Sequence, residues 1–480
     1  MAWKYHREGD RVEPPPYQVP LERALVHALA HLGRIDDAPV AATVSLDELR
    51  ARLGRPLDET GVDPAQVIDE LVAGCAGGVV GSTGGRFFGW VMGGTTPAAL
   101  AADWLTSAWD QNSASVATGP AEAVLEEICG VWLKELLGLP PTASFALVTG
   151  SQMGHVTCLA AARSALLARS GWDVERHGLA SAPRLRILSG DQRHGSIERA
   201  VRLLGLGSAS VVDLPTDEDG RLRAEVLDGA LRRDPDVATI VILQAGDLNI
   251  GAFDPFMELI PLAHTSGAWV HVDGAFGLWA AASPQYRHYL AEVERADSWV
   301  TDGHKWLNVP YDCGYAFVAD PVPHHTAFGH RASYIVRAAD ARDPSEWTPE
   351  WSRRGRGVAT YAALRELGCA GVAELIERTC RHAHSLATQI SALPGAELVF
   401  EPRLNQGLVR FLDRRPEVGE RDHDRRTDAV MARILETGEA FFSGSTWRGK
   451  RCMRISVCNW RTNDADVERA VAAVRHVLEI

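Results

Sequence analysis

The chain has 480 residues, 46% of them hydrophobic, so it can bury a large core, and its length suggests two to four domains. Its 62 acidic residues outnumber its 49 basic residues, and the net charge of −13 argues against nucleic acid or an anionic membrane as a main partner. The charged first residues do not resemble a signal peptide, and no apolar run reaches the roughly 18 residues of a membrane span. Eight scattered cysteines without a CxxC pair favour a reducing cytoplasm over a disulfide framework.

The predicted elements begin with a polar arm, residues 1–20, which contains three consecutive prolines. The spacing of Ala and Leu then predicts helices at 21–32, 45–53 and 64–73. Short β-branched runs predict strands at 144–148, 184–189, 209–214, 239–243, 269–273, 298–302 and 315–318. Helices are predicted between them, for example at 154–170 and 196–204. This alternation indicates an α/β domain with a mostly parallel sheet.

The pattern changes after about residue 370. A long helix is predicted at 371–393, followed by strands at 397–401, 407–411 and 453–457, and by a last helix from residue 462 to the end. The charge-dense run 414–426 is predicted to be a solvated loop. The chain therefore divides into an N-terminal helical segment (1–95), a large α/β domain (96–370) and a small α+β domain (371–480).

Two motifs in the large domain predict a pyridoxal 5'-phosphate (PLP) site. Lys305 lies in DGHKWLN at 302–308, and Asp273 lies in HVDGAFG at 271–277. A lysine amine can hold PLP as a Schiff base. An aspartate at the end of an apolar run can keep the pyridine nitrogen protonated, so that the ring accepts electrons. Asp273 also suits a simple cap of the turn at Gly274, but the two motifs in this order favour the cofactor.

A third motif suits the phosphate of the cofactor. VTGSQMG at 148–154 follows a predicted strand and opens a predicted helix, whose free N–H groups and dipole attract phosphate. Ser151 and Gln152 add side-chain donors. An ordinary strand–turn–helix corner has the same pattern, so the motif gains its weight from Lys305 and Asp273.

Several neighbouring residues are candidates for cofactor contacts. His194, in DQRHGS at 191–196, suits stacking on the ring at the carboxyl end of a strand, with helix capping as an equal alternative. Ala275 is small enough for a planar ring to lie against it. His304 suits the phosphate, the ring or a substrate carboxylate, whereas Asp302 is an awkward neighbour for phosphate and suits an orienting role. No metal site is predicted, because Cys380, His382 and His384 do not share one helix face.

In this order the motifs resemble the group II PLP-dependent decarboxylases, the family of the aromatic-L-amino-acid, histidine and glutamate decarboxylases. The resemblance spans residues 87–356 and includes FFGW at 87–90, DCG at 312–314 and RRGR at 353–356. It implies the aspartate-aminotransferase-like fold type I, with a mostly parallel seven-stranded sheet in the large PLP domain. It also implies a homodimer with shared active sites, in which the N-terminal segment wraps the partner.

The resemblance implies a role for each candidate residue. Lys305 forms the Schiff base, Asp273 pairs with the pyridinium nitrogen, His194 stacks on the ring and Ala275 packs against its other face. The implied cofactor contacts are Ser151, Gln152, His194, Asp273, Ala275, Asp302, His304 and Lys305.

The implied reaction is decarboxylation of an L-amino acid to an amine and CO2, through a Schiff base and a quinonoid, in amino-acid metabolism. Tyr334, in ASYI at 332–335, fits the loop tyrosine with which the family protonates the carbanion, and a loop anchor is the alternative. Lys305, His194 and Asp273 are the other implied catalytic residues. Three other outcomes stay open. One is a different fate of the same carbanion, by oxidative deamination to an aldehyde, transamination or aldol-type cleavage. The second is a non-amine decarboxylase chemistry, which the altered turn at 244–251 suggests. The third is an inactive regulatory homologue.

Two segments depart from the family pattern and leave the substrate open. QAGDLNIG at 244–251 replaces a Gly-Thr-Thr-rich turn near the cofactor, so Asp247 or Asn249 can alter ring hydrogen bonding or substrate choice. WVMGG at 90–94 replaces a more aromatic, proline-containing stretch. Trp90 and Phe88 slightly favour an aromatic or bulky substrate, and His304 is a further candidate for substrate contact. The alternative is that these aromatic residues, near a domain interface, pack in the core.

Overall fold

The computed structural model describes residues 15–330 and 342–479. It begins with three helices, α1 (Gln18–Leu32), α2 (Leu46–Leu53) and α3 (Pro64–Cys75), where helical spacing predicts them. Ser45 and Glu48 cap the start of α2 reciprocally, and Asp63 accepts two backbone N–H groups at the start of α3. Most of the predicted polar arm lies outside the described residues.

The next elements build a large sheet and the helices that cover it. In chain order they are β1 (Phe87–Phe88), α4 (Pro97–Trp109), α5 (Pro120–Leu137), β2 (Ser144–Val148), α6 (Ser151–Arg169), α7 (Val174–His177), β3 (Leu185–Gly190), α8 (Gly195–Leu203), β4 (Val211–Leu214), α9 (Ala224–Arg233), β5 (Ala238–Gln244), α10 (Phe256–Thr265), β6 (Trp269–Asp273), β7 (Ser298–Asp302), β8 (Gly314–Val318) and α11 (Pro321–Phe328). The strands β2 to β8 confirm the predicted ones to within two residues at either end.

Seven of the described strands form the large sheet, in the order β2-β8-β7-β6-β5-β3-β4. Neighbouring strands are parallel except at β8, which runs antiparallel to β2 and β7. Alternate residues of β5 enter two cores: Ile240 and Ile242 pack with α6 and α8, while Val241 and Leu243 pack with α9 and α10. This mostly parallel sheet, covered on both faces, confirms the predicted α/β fold type I.

A smaller sheet follows towards the C-terminus. Its part of the chain contains α12 (Arg356–Ser391), β9 (Ala396–Phe400), β10 (Gln406–Phe411), α13 (Glu420–Thr437), β11 (Phe441–Trp447), β12 (Lys450–Ser456) and α14 (Asp464–Glu479). Within the described residues the strand order is β1-β11-β12-β10-β9, antiparallel except that β1 runs parallel to β11. The N-terminal segment thus contributes a strand to the small sheet. The domain boundaries at residues 95 and 370 remain predictions.

Two elements of this part differ from the sequence predictions. The run 414–426 was predicted to be a solvated loop, but its second half belongs to α13, where Val430 and Ile434 pack into the small core. The charged residues at 420–426 therefore belong to the outer face of an amphipathic helix. The predicted helix at 371–393 begins earlier, at Arg356, and α12 is kinked at Gly368, whose φ is 59°.

A buried arginine fixes the strand that leads into the candidate site. Arg353 donates to Glu126 at 2.6 Å and to the Leu147 carbonyl at 2.5 Å. Neither charged side chain is exposed. Because an unpaired buried charge is costly, this pair holds α5 and β2 in one arrangement.

The described residues contain neither a helix that could span a membrane nor a cluster of side chains that could bind a metal ion. No helix within residues 15–330 and 342–479 is both long and apolar enough to cross a membrane. The same residues contain no group of three His, Cys, Asp or Glu side chains that could hold a metal ion. All eight cysteines are free thiols.

Candidate active site

The carboxyl ends of five parallel strands border one cavity of about 680 Å³. Loops after β2, β3 and β5 line it, and β6 and β7 end in aspartates that face it. Ligands bind at this edge of open α/β sheets, because the connections diverge there. The cavity brings together the predicted cofactor residues Ser151, Gln152, His194, Asp273, Ala275, Asp302, His304 and Lys305.

Lys305 lies in a single π-type turn, Gly303–Leu307, that directly follows β7. The N–H groups of Gly303 and His304 donate to the Cys313 carbonyl at 3.1 and 3.2 Å, which ties the turn to the start of β8. Lys305 Nζ lies 2.9 Å from Asp302 Oδ2. The turn therefore directs the lysine amine into the cavity.

The segment 90–94 crosses the Lys305 turn at very close range. The Gly93 N–H donates to the His304 carbonyl at 3.3 Å, and a Cβ at Gly93 would lie 1.9 Å from the Lys305 carbonyl oxygen. The Gly94 N–H donates to Asn308 Oδ1 at 2.7 Å. This segment departs from the family pattern, and it needs glycine at position 93 because any side chain would displace it from the lysine turn.

Asp302 connects the lysine to the predicted phosphate loop. Its Oδ1 accepts the Ser151 N–H at 2.5 Å, while its Oδ2 contacts the Lys305 ammonium. Burial acts to raise the pKa of Asp302, but the Lys305 ammonium and the Ser151 N–H outweigh burial, so the pKa is lowered overall. The ionised carboxylate thus orients the lysine and the start of α6, in line with the orienting alternative.

Ser151 and Gln152 supply unpartnered donors at the start of α6. Ser151 Oγ and Gln152 Nε2 are buried and have no hydrogen-bond partner within the described part of the chain. Buried polar atoms without partners are rare in folded proteins. These two line the cavity beside the free N–H groups of a helix N-terminus. The donor set fits a phosphate group.

Asp273 and His194 lie at two other borders of the cavity. Asp273 is a largely buried carboxylate at the end of β6, and its Oδ1 accepts the Ala275 N–H at 3.2 Å. His194 lines the open side, and its Nδ1 accepts the Ser196 N–H at 3.2 Å. His194 therefore caps α8 and borders the cavity at once, and its stacking on the cofactor ring stays a prediction.

His304 is held in one tautomer beside Tyr311, a residue that the sequence analysis did not single out. His304 Nδ1 accepts the Cys313 N–H at 3.2 Å, which places the proton on Nε2, 3.7 Å from Asp302 Oδ1. Burial lowers the pKa of His304, against the opposing effect of Asp302, so the ring is neutral. The ring stacks on Tyr311 at a centroid distance of 4.3 Å. Tyr311 also lines the cavity.

Arg454 is a buried cation that the sequence analysis missed. It lies on β12 and lines the cavity, and its Nη1 donates to the Leu248 carbonyl at 3.1 Å. Its Nε has no partner among residues 15–330 and 342–479. Burial lowers the pKa of Arg454 to about 10. An arginine between Met453 and Ile455 in an apolar strand was the available signal, because buried cations are rare without a partner.

The unusual turn at 244–251 acts on the cavity through its backbone path. Asp247 is buried and accepts the N–H groups of Asn249 and Ala252 at 2.8 and 2.9 Å. Asn249 Oδ1 accepts the Ser445 hydroxyl at 2.5 Å. Neither Asp247 nor Asn249 lines the cavity, whereas Gly246 and Leu248 do. The turn presents Leu248 to the cavity, and the expectation that Asp247 or Asn249 alters ring hydrogen bonding or substrate choice stays a prediction.

The two aromatic substrate candidates have different positions. Trp90 lines the cavity and packs against Phe441 at a centroid distance of 5.1 Å. Phe88 is fully buried and stacks on Phe442 in the small core. The assignment of Phe88 to the substrate is therefore corrected: it lies on β1, and its side chain packs a core. Tyr334 lies outside the described residues, so its acid role stays a prediction.

Comparisons with known proteins identify the family to which the chain belongs. The pyridoxal-dependent decarboxylase conserved domain matches residues 52–412. An aromatic-L-amino-acid decarboxylase of Drosophila lebanonensis is 30% identical over 390 residues, covering 77% of this chain and 92% of that protein. A 4-hydroxyphenylacetaldehyde synthase of Rhodiola rosea is 27% identical over 338 residues, covering 68% of this chain and 67% of that protein.

A solved structure shares the fold over almost the whole chain. It is the crystal structure of Oryza sativa TDC with PLP and tryptamine, with a TM-score of 0.91 at 24% identity. The match covers 98% of this chain and 99% of that one.

Substituting Ser151→Ala removes one of the two unpartnered donors. Loss of one hydrogen bond to a charged phosphate should weaken PLP binding about tenfold. Fluorescence titration of the cofactor-free protein with PLP measures this change. Ser170→Ala, at the exposed end of α6, is the matched control and should bind PLP as the wild type does. Equal affinities for the Ser151 variant and the wild type would show that the donor does not hold the phosphate.

Proposed function

The chain belongs to the family of pyridoxal-dependent decarboxylases, and on that premise we propose that it converts an L-amino acid to the corresponding amine and CO2. Its cofactor is PLP, as in its family. One observation carries the proposal: the Lys305 amine, the Asp273 carboxylate and the unpartnered donors of Ser151 and Gln152 border one cavity.

Each of these groups meets one requirement of the cofactor. Lys305 provides the amine that binds it covalently, Ser151 and Gln152 hold its phosphate, and Asp273 pairs with its ring nitrogen. When bound, PLP supplies a protonated ring that accepts the electrons left behind by the departing carboxyl group. His194 and Ala275 border the space for the ring, consistent with the proposed packing of its two faces.

Arg454 is proposed to orient the carboxylate of the substrate. It is a buried guanidinium beside the cavity, and its Nε has no partner within the described residues, so it can pair with a carboxylate in a fixed direction. A fixed direction matters because only a bond aligned with the ring's π system breaks easily. The Leu248 carbonyl holds one end of the guanidinium, which limits how far it can swing.

An apolar border around the cavity favours loss of CO2. Trp90, Met92, Phe276, Leu248 and Tyr311 line it, and we propose that they shield the reacting centre from water once a substrate fills the cavity. An uncharged product is favoured over a charged carboxylate where water is excluded. The same border suits an aromatic or bulky side chain, and this is the substrate class that we propose.

The fate of the carbanion depends on the proton donor. We propose that Tyr334 protonates it, with His194 as the second candidate, and that the product is the amine. The 4-hydroxyphenylacetaldehyde synthase among the relatives makes aldehyde formation the main alternative. The complete set of cofactor residues argues against an inactive regulatory homologue.

A product assay with Tyr334→Phe tests the proposal. The wild type, loaded with PLP, should release CO2 and amine in equal amounts from an aromatic L-amino acid, in a screen of all twenty. Removal of a general acid should lower kcat for the amine at least about a hundredfold. Tyr361→Phe, whose ring stacks on Trp132 and does not line the cavity, is the control and should keep full activity. Undiminished amine formation by Tyr334→Phe would exclude the acid role, and an aldehyde product from the wild type would exclude the proposed reaction.

The chain is further proposed to form a homodimer through its N-terminal helices. Leu21, Leu25 and Leu29 follow one another at helical spacing on α1 and are all exposed, as are Val67 and Leu71 on α3. Contiguous exposed apolar surface of this kind is typical of an interface. A second copy of the chain would cover it.

Light scattering after size-exclusion chromatography tests the dimer. The wild type should elute with twice the mass of the chain, and Leu21→Glu/Leu25→Glu should elute with the mass of one chain. Leu57→Glu makes the same exchange at a fully exposed leucine outside α1 and should remain a dimer. A wild type with the mass of one chain and full activity would contradict the proposal.

We also propose a cytoplasmic location. Eight free thiols, most of them buried, are compatible with a reducing compartment. No pair among them forms a disulfide.

A further inference from the structure

A network of buried polar side chains, called the histidine network below, runs from Asp273 away from the cavity. His155, on α6, places its Nε2 3.6 Å from Asp273 Oδ2. His155 Nδ1 lies 3.0 Å from Nε2 of His271, on β6, and His271 Nδ1 lies 2.9 Å from the Ser298 hydroxyl. Trp269 Nε1 donates to the same hydroxyl at 2.9 Å. His155, His271 and Ser298 have no exposed surface, and none of them lines the cavity.

Both imidazoles of the histidine network, those of His155 and His271, are neutral. Burial lowers the pKa of His155, against the opposing effect of Asp273, and burial lowers the pKa of His271 well below its usual value. A neutral imidazole carries one N–H and one bare nitrogen. The hydrogen bonds of the histidine network therefore have one of two directions. The direction decides whether His155 presents an N–H or a bare nitrogen to Asp273.

In the first direction, the Ser298 hydroxyl donates to His271, and His271 Nε2–H donates to His155. The remaining proton of His155 is then on Nε2, directed at Asp273. In the second direction every bond reverses, and a bare nitrogen faces the Asp273 carboxylate at 3.6 Å. At a site without exposed surface, a lone pair against a negative charge is unfavourable, and an N–H dipole against it is favourable.

The end of the histidine network at Ser298 is compatible with the first direction. The Trp269 indole only donates, so it occupies a lone pair of Ser298 Oγ and leaves the hydroxyl hydrogen free for His271. Cys158 also lies near this hydroxyl, but sulfur is a weak acceptor. The Ser298 carbonyl raises the pKa of His271 and favours the second direction. The negative charge of Asp273 decides between the two directions. It acts on His155 Nε2, which has no hydrogen-bond partner in the described residues.

We infer that His155 is a positioning residue that presents Nε2–H to Asp273 and stabilises the negative charge with which Asp273 pairs with the ring nitrogen of PLP. The inference rests on the proposed role of Asp273. The Ala275 N–H holds the Oδ1 of the carboxylate, and His155 faces its Oδ2. The Ala275 N–H thus orients the carboxylate, and the N–H dipole of His155 stabilises its negative charge.

Nitrogen-15 NMR of the PLP-loaded protein tests the inference directly. With labelled histidine, the difference between wild type and His155→Gln identifies the His155 signals, which should show a protonated Nε2 and a bare Nδ1. With labelled PLP, the ring nitrogen should be protonated in the wild type. His155→Leu should shift it towards the neutral form and weaken PLP binding about tenfold. His155→Gln retains an N–H donor and should recover most of the affinity. His288→Leu, at an exposed histidine, is the control and should leave both readouts unchanged.

The outcomes separate this inference from the proposed function. A wild type that does not bind PLP at Lys305 would overturn both. Normal PLP binding with a bare Nε2 on His155 would overturn the inference alone, as would unchanged affinity and ring protonation in His155→Leu. If His155→Leu does not fold, Ser298→Ala tests the direction of the hydrogen bonds from the other end of the histidine network. Because the charge of Asp273 sets the direction, His155 should keep its proton on Nε2 in this variant, and a bare Nε2 would contradict the inferred direction.

Discussion

A buried carboxylate at the end of β7 holds the site together. Asp302 accepts the Ser151 N–H with one oxygen and contacts the Lys305 ammonium with the other. Two segments that are 154 positions apart in the sequence are thereby fixed to one side chain. This contact adds a direct link between the lysine turn and the start of α6, both of which also pack against the large sheet.

The rest of the fold brings the remaining groups to the same place. Five parallel strands end at one edge of the large sheet, so their following loops border one cavity. The small sheet adds Arg454 from β12, and the N-terminal segment adds Trp90 and the crossing at Gly93. The site therefore lies where three parts of the chain meet.

The sequence predicts the parts of this site that depend on local patterns. Buried strands appear as short apolar runs, so β2, β6 and β7 are predicted to the residue. Lys305 and Asp273 stand out because each follows such a run and each has a distinctive chemistry. Long-range contacts leave no local pattern. His155 and His271 are 116 positions apart, and only the packing of α6 on β6 brings them together. Phe88 was misplaced because neighbouring residues of a strand face opposite sides, which the letters FFGW do not reveal.

Reductive trapping tests the central claim most directly. The chain has only four lysines, Lys4, Lys134, Lys305 and Lys450, so a covalent bond to PLP can be mapped without ambiguity. The PLP-loaded protein is treated with borohydride and digested, and the pyridoxyl-bearing peptide is identified by mass spectrometry. The account predicts stoichiometric labelling at Lys305 and none in the Lys305→Ala variant. Labelling at another lysine, or no labelling of the wild type, would contradict it.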